Sequence, residues 1–419
     1  MTRTDLLAAL DADQAHHIAF LQEFVRAPSP NPPGDTQLAA KVVLRYLSAR
    51  GVPASVVAPR ADLPNVVSDF EGAHPGPRLI FNGHMDVFPV GAADGWTRDP
   101  WSGDIADGHM HGRGVTDMKA GTAASIIAYT YLHERRQALN GSLGLTAVSD
   151  EETGGCWGSR WLLQNDTRWH GDCMINAEPG GISTIRFAEK GTLRLTFTVK
   201  TAGAHGAYLH KSESASRIAA SLICELAAIE DMSPKLPPEL VNYLAQPDVC
   251  AAADAAMGPG AAAIIARPTL NIGTIHAGLK VNMIPDSCAF EADIRIPMGL
   301  STQDVMDKVL ALCARHPQVS VAVQEAASNP SASSAHDHPM VGILARNAQS
   351  VTGVRPLALP SLGATDCKFW RYQHIPAFIF GPTPKNMAAP NESVDIGEFL
   401  AVIKTHALAA WEFLGGDPV

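Results

Sequence analysis

Three times in the first half of this 419-residue chain, a short apolar run stops at a cluster of polar and acidic residues. R-L-I-F at 78–81 leads into N-G-H-M-D-V, S-L-G-L-T-A-V-S at 142–149 into D-E-E-T-G-G, and C-M-I-N-A-E at 173–178 into P-G-G. Helical stretches separate these runs, including one rich in small residues over about 118–134. Strand, polar loop and helix in rotation predict an α/β fold, a mostly parallel sheet with helices on both faces. In such sheets the site lies beyond the carboxyl ends of the strands. The polar clusters fall there. Near the N-terminus, apolar positions at helical spacing predict one helix over 5–26, stopped by Ser29-Pro30-Asn31-Pro32-Pro33, and a second over 36–50.

The middle of the chain obeys a different rule. T-L-R-L-T-F-T-V-K-T at 192–201 alternates apolar and polar, the mark of a half-exposed strand. A helix over about 213–229, strands near 269–276 and 287–296, a helix over 302–315 and a strand over 318–324 follow. That β-α-β-β-α-β order predicts a small two-layer α+β domain. The expected division is one domain of residues 1–187 and 327–419, with residues 188–326 inserted in it. The Pro- and Ala-rich stretch 232–266 reads as an excursion within the insert. A helix near 339–352 and the strand A-F-I-F at 377–380 resume the first pattern.

Composition narrows the function classes. Charged residues make up 18% of the chain and hydrophobic ones 46%, which excludes a disordered polymer. The 32 Lys and Arg against 42 Asp and Glu give a net charge of −10, contrary to a nucleic-acid binder. The seven scattered cysteines contain no C-x-x-C pair, as expected of free thiols in a reducing cytoplasm. Acidic residues interrupt the apolar run of M-T-R-T-D-L-L-A-A-L-D-A-D-Q, a poor secretory signal. No uninterrupted apolar stretch is long enough to predict a membrane-spanning helix. A cytoplasmic protein without membrane partners is the expectation.

Taken singly, the polar clusters have ordinary readings. His84 and Asp86 sit two apart in a strand-like run and so share a face. They suit a metal-binding imidazole with a carboxylate on its other ring nitrogen, or a hydrogen-bonded core histidine. Asp117, just before a helix, reads as an N-cap. Asp150, Glu151 and Glu152 repel one another, and are either a solvated turn or neutralised by a cation. Glu178 alone is a loop carboxylate. Together, imidazole and carboxylates at consecutive strand ends suit Zn²⁺, with Mn²⁺ or Co²⁺ as substitutes. So many acidic ligands fit a pair of metals bridged by a carboxylate.

The order and local sequence of N-G-H-M-D-V, G-R-G-V-T-D-M-K-A-G, S-D-E-E-T-G-G and A-E-P-G-G resemble the M20 metallopeptidase family. That family includes acetylornithine deacetylase, succinyl-diaminopimelate desuccinylase, aminoacylase and glutamate carboxypeptidase. The resemblance spans essentially the whole chain. It implies that His84 and Glu178 bind one zinc, that Asp117 bridges both, and that Glu152 binds the second. It makes Glu151 the general base and Asp86 the residue that orients His84. It also implies a cis peptide at Asp117–Met118, and a homodimer in which the insert is lid and dimerisation domain. G-A-H-G at 203–206 is similar to the family's A-H-G motif, so His205 is cast as the oxyanion donor reaching in from the partner subunit. Asn282 and Arg295 match substrate-contacting positions, and Gly363-Ala364-Thr365-Asp366 resembles the loop that receives the substrate carboxylate. Without the family, Arg295 reads equally as a surface arginine, Gly363 as a turn residue and His205 as a surface histidine. His109 and His111 read as structural.

One position departs from the pattern. The resemblance places a final zinc-ligand histidine where this chain has Ala388, within Ala388-Ala389-Pro390-Asn391-Glu392. A methyl group binds no metal. His336, His338 and His374 are weak stand-ins. Either the position carries an inactivating substitution or the protein works with an altered second site. The implied activity is hydrolysis of the linear amide C–N bond of an N-acyl amino acid. The alternatives are a dipeptidase or carboxypeptidase, an N-carbamoyl hydrolase, a non-catalytic ligand-binding homologue and, outside the family, a merely solvated acidic face.

Overall fold

A computed structural model describes residues 2–91 and 95–418. The chain divides into two compact units, one of Met1–Phe187, Ser333–Leu359 and Thr365–Val419, the other of Ala188–Ala332 and Pro360–Ala364.

The sheet of the first unit runs Ser55–Val57, Asn65–Glu71, Asn140–Val148, His74–His84, Cys173–Asn176, Ala377–Ile379 in spatial order. His74–His84 is parallel to both its neighbours, and Ala377–Ile379 is parallel to Cys173–Asn176. Asn65–Glu71 runs antiparallel at one side. Parallel strands covered on both faces read as continuous apolar runs, and Asn140–Val148 is buried from its second residue onward. The α/β fold read from the sequence is borne out. The helix Ala120–Glu134 is buried over its first 13 residues and packs against Ile396–Phe413, which in turn packs on Pro339–Thr352. Among the described residues, no helix is long and apolar enough to cross a membrane.

Three local departures have physical causes. The single helix expected over 5–26 is two, Arg3–Ala12 and Gln14–Val25. It breaks at Asp13, whose carboxylate accepts hydrogen bonds from Tyr131 and Arg50. The helix expected from 118 begins at Ala120. It follows a wide turn, Val115–Lys119, in which Asp117 and Met118 leave helical φ/ψ and are joined by a cis peptide. The stretch 232–266 contains the helices Pro238–Leu244, Pro247–Met257 and Ala261–Ile264. The first two start on a proline, whose fixed φ and missing N–H suit a first helical position.

In the second unit, an antiparallel sheet runs Thr269–Ala277, Ser287–Ile296, Gly191–Lys200, Val319–Val323. Leu193, Leu195, Phe197 and Val199 alternate onto its buried face. They share a core with Ala219 and Leu222 of Ala215–Leu226 and Val305 and Val309 of Thr302–Cys313. Phe197 stacks on Phe290 of the adjacent strand at 4.5 Å between ring centres.

The backbone just beyond Cys173–Asn176 is held between two glycines. A Cβ on Gly121 would collide with the Ala177 carbonyl oxygen, and one on Gly381 with the carbonyl oxygens of both Ala177 and Glu178. This close approach fixes where Glu178 leaves the sheet. Gly121→Ala is expected to cost about 1–3 kcal/mol by overpacking. The measurement is a thermal or urea unfolding curve, and an unchanged midpoint would show that the approach is not tight.

Candidate metal centre

His84 ends its strand with the imidazole buried, 1% exposed. Its Nδ1 lies 2.8 Å from the backbone carbonyl of Asp86 and 3.5 Å from the Asp86 carboxylate. The orienting contact assigned to Asp86 is thus made chiefly by its main chain. With Nδ1–H donated there, Nε2 keeps a free lone pair. That nitrogen faces Asp117 Oδ1 at 3.2 Å and Glu178 Oε1 at 3.4 Å. The Asp86 carboxylate works elsewhere. It accepts Asn31 Nδ2 at 2.9 Å and the backbone N–H groups of Glu151 and Glu152 at 3.3 and 3.2 Å. It therefore shapes the turn that follows Asn140–Val148.

That turn opens with Asp150 in a left-handed conformation, φ 72°. Its carboxylate accepts Trp157 N and Gly158 N at 2.8 and 2.9 Å, so Asp150 serves the loop and is absent from the acidic cluster. Glu151 and Glu152 then turn inward. Ligand atoms of His84, Asp117 and Glu152 all lie within 4.8 Å of one another, and so do those of His84, Glu151 and Glu178. Glu152 Oε1 is buried with no hydrogen-bond partner.

Like charges this close disfavour one another, and burial disfavours each of them. Burial and then Asp117 push the Glu152 pKa up to about 11. The same two causes push Glu178 up to about 7. Burial raises Glu151 well above the usual carboxylate range against the pull of Lys368, whose Nζ is 3.8 Å from Oε1. Burial works against charge on His84, yet Glu178, then Asp117 and Asp86, raise it well above the ordinary imidazole range. An imidazole nitrogen, several crowded carboxylates and one orphaned buried oxygen fit a divalent cation.

Sequence reading passed over several residues that build this centre. Glu392 accepts Thr116 N and Asp117 N on Oε1, and Gly114 N on Oε2. Arg113 pairs with Glu392 Oε2 at 2.6 Å and donates from Nη2 to the Ala388 carbonyl at 3.1 Å. Burial pushes the Lys119 pKa down to about 7, and its Nζ donates to the Phe24 and Ala27 carbonyls, anchoring the Asp117 turn. Lys368 Nζ donates to the Thr365 carbonyl at 2.8 Å. The only sequence signals were a charged residue beside a glycine and a carboxylate ending A-A-P-N-E.

Ala388 is exposed, in the left-handed region at φ 59°. Among the described residues, the groups able to hold a metal contain no histidine besides His84. His338 caps the helix Pro339–Thr352, His336 packs near Phe187, and His374 ends a turn after Trp370 and Arg371. None of the three joins those groups. His109 and His111 lie in a short strand paired with Ser393–Asp395.

Of the remaining residues, Thr365 lies in the first unit, and His205, Asn282, Arg295 and Gly363 in the second. There His205 pairs with Met283, and the Asn282 carbonyl accepts Gly206 N at 2.7 Å, so His205 and Asn282 are neighbours. The Arg295 fork, expected to face a substrate carboxylate, is ion-paired with Asp293, Nη2 donating to Oδ2 at 3.0 Å and Nε lying 2.9 Å from Oδ1. Space around Gly363 is open to a Cβ, so crowding does not require glycine there.

The sequence profile of peptidase family M20/M25/M40 matches residues 80–412. Succinyl-diaminopimelate desuccinylase of Cereibacter sphaeroides is 28% identical over 394 residues, which cover 91% of this chain and 94% of that protein. The solved structure of an M20 family metallo-carboxypeptidase from Sulfolobus solfataricus matches with a TM-score of 0.78 at 18% identity, over 95% of this chain and 99% of the other. A dinuclear metal-binding M20 peptidase from Bacillus subtilis matches with a TM-score of 0.67 at 16% identity, over 97% of this chain and all of the other. With the profile running from within His74–His84 almost to the end of Ile396–Phe413, the chain belongs to peptidase family M20/M25/M40.

Proposed function

We propose that this hydrolase of the M20 family cleaves the amide bond of an N-acyl amino acid, releasing a carboxylate and an amine. The observation that carries the reading is the convergence of Glu151, His84, Glu152 and Glu178 at strand ends with Asp117 from the turn before Ala120–Glu134. The desuccinylase relative favours an acyl amino acid over a peptide. In this reading His84, Asp117, Glu152 and Glu178 hold Zn²⁺ in up to two sites, with Co²⁺ or Mn²⁺ as substitutes. Bound there, the metal supplies Lewis-acid polarisation and positive charge at the reacting centre. Glu151 takes a proton from the attacking water on a carboxylate oxygen and returns it to the leaving nitrogen. Asp86 fixes the His84 tautomer through its carbonyl and the Glu151–Glu152 backbone through its carboxylate. His205 of a second copy donates to the oxyanion, and Asn282, Arg295, Gly363 and Thr365 belong to substrate recognition. The chain acts as a cytoplasmic homodimer.

A substrate panel tests the reaction class. N-succinyl and N-acetyl amino acids are expected to turn over, and a chelator is expected to stop them. Turnover of dipeptides alone would replace the deacylase by a peptidase, and N-carbamoyl substrates alone by a carbamoyl hydrolase. No hydrolysis by the metal-loaded protein would leave a ligand-binding homologue.

Glu151→Gln keeps the side chain's size and removes the base. Its kcat is expected to fall by about 10²–10⁴-fold, the typical share of general acid–base catalysis. Metal content by elemental analysis should stay at the wild-type level. A lost metal with a lost rate would instead make Glu151 a ligand.

Ala388 bears on the second metal. Its left-handed backbone is one that histidine adopts more readily than alanine. Ala388→His is expected to raise bound metal towards two per chain and to raise the hydrolytic rate by orders of magnitude. If neither moves, position 388 is not a lost ligand site.

A further inference from the structure

Glu392 is 1% exposed, as is Arg113. Its two carboxylate oxygens receive four hydrogen bonds, one from Arg113 Nη1 at 2.6 Å and three from the main chain. Those three are Gly114 N at 3.1 Å, Thr116 N at 2.9 Å and Asp117 N at 3.2 Å. A carboxylate has about four lone-pair sites, so Glu392 is saturated and has none left for a cation. Gly114 is left-handed at φ 73°, and a Cβ there would collide with Val87. The turn is thus forced to present its N–H groups on one side, toward Glu392. The opposite result of the same turn is the Asp117 carboxylate, 3.2 Å from His84 Nε2.

The contact is reciprocal. Thr116 Oγ1 donates to the Ser393 carbonyl at 2.8 Å, and Gly112 N to the Glu392 carbonyl at 3.0 Å. Arg113 carries the link onward by donating from Nη2 to the Ala388 carbonyl at 3.1 Å. Its guanidinium also lies over the Trp96 ring at 5.2 Å. One buried ion pair therefore holds both the turn of Asp117 and the segment of Ala388.

We propose that Glu392 is a positioning residue that sets the metal affinity of the centre by fixing the backbone of Asp117, with Arg113 extending the clamp to residue 388. This rests on the metal-centre reading given above. Glu392 acts through main-chain N–H groups and does not touch the metal or the substrate.

The test is Glu392→Gln, close in shape but unable to accept all four bonds. Isothermal titration of the metal-free protein with Zn²⁺ or Co²⁺ reads affinity. Thermal unfolding of the same metal-free samples reads stability separately. Affinity is expected to fall by about 10–100-fold, the usual effect of losing a group that orients a ligand. The visible absorption of the Co²⁺-loaded protein is expected to shift as Asp117 moves. Unchanged affinity and an unchanged spectrum, with or without a lower melting temperature, would overturn the proposal. Should Glu392→Gln not fold, Arg113→Lys carries the test. It keeps the charge, gives up the fork, and is expected to lose about tenfold in affinity. If the wild-type chain binds neither ion, the metal-centre reading itself fails, and the clamp with it. Metal binding by the wild type that survives both variants undiminished defeats the clamp alone.

Discussion

Four carboxylates facing one imidazole in a space shielded from water is the constraint on which the rest of the first unit depends. Two unit charges 4 Å apart interact by about 4 kcal/mol at an effective dielectric of 20. Asp117, Glu151, Glu152 and Glu178 would therefore separate if the backbone let them. It does not, because each stands where a sheet strand ends or a helix begins, and those elements are locked by apolar packing. The glycines at 121 and 381 hold the Glu178 backbone. Asp86 holds that of Glu151 and Glu152. Glu392 holds that of Asp117. The two supporting carboxylates accept backbone N–H groups, which leaves the inner ones short of donors. Glu152 Oε1 shows the result as a buried oxygen with no partner.

The frame of this arrangement was legible in the chain because it follows from periodicity. Buried parallel strands show as apolar runs, and the site residues as the polar clusters that end them. The strands Ser287–Ile296 and Gly191–Lys200 were legible through alternation, since one face of each is buried. What escaped has a common cause. Glu392 meets Asp117 across 275 residues of chain through main-chain N–H groups, which leave no mark on residue type. Asp13 looks like any helix residue until Tyr131 and Arg50 reach its carboxylate. The helices within 232–266 lack a clean apolar stripe, and their prolines look like breaks although two of them begin helices.

Asp86 and Arg295 show how a residue type fits a motif while its atoms do something else. An H-x-D pair suggests a carboxylate on the second ring nitrogen, yet the main-chain carbonyl of Asp86 is 0.7 Å nearer, at 2.8 against 3.5 Å. The carboxylate is thereby released to organise Glu151 and Glu152, so a single residue orients the His84 ring and positions the backbone of both glutamates. At Arg295, Asp293 two residues earlier takes the guanidinium fork. A substrate carboxylate at Arg295 would have to compete with a charge already on the same strand. Recognition by that arginine would therefore exchange one carboxylate for another, a weaker source of affinity than a free fork.

The single imidazole also bears on how charge is balanced. Two divalent cations would match the four inner carboxylates, while one leaves two negative charges to be met by other means. The chain offers Lys368, 3.8 Å from Glu151, and protons. Burial and mutual repulsion raise Glu151, Glu152 and Glu178 together, which favours their protonated forms. Ions and protons then compete for the same oxygens, and each ion bound displaces protons. With Ala388 where the resemblance puts a second imidazole, the neutral ligand that would favour a second ion without adding negative charge is gone. On the proposed reading, a residue that carries no charge itself would thereby move the balance from two ions without protons toward one ion with them.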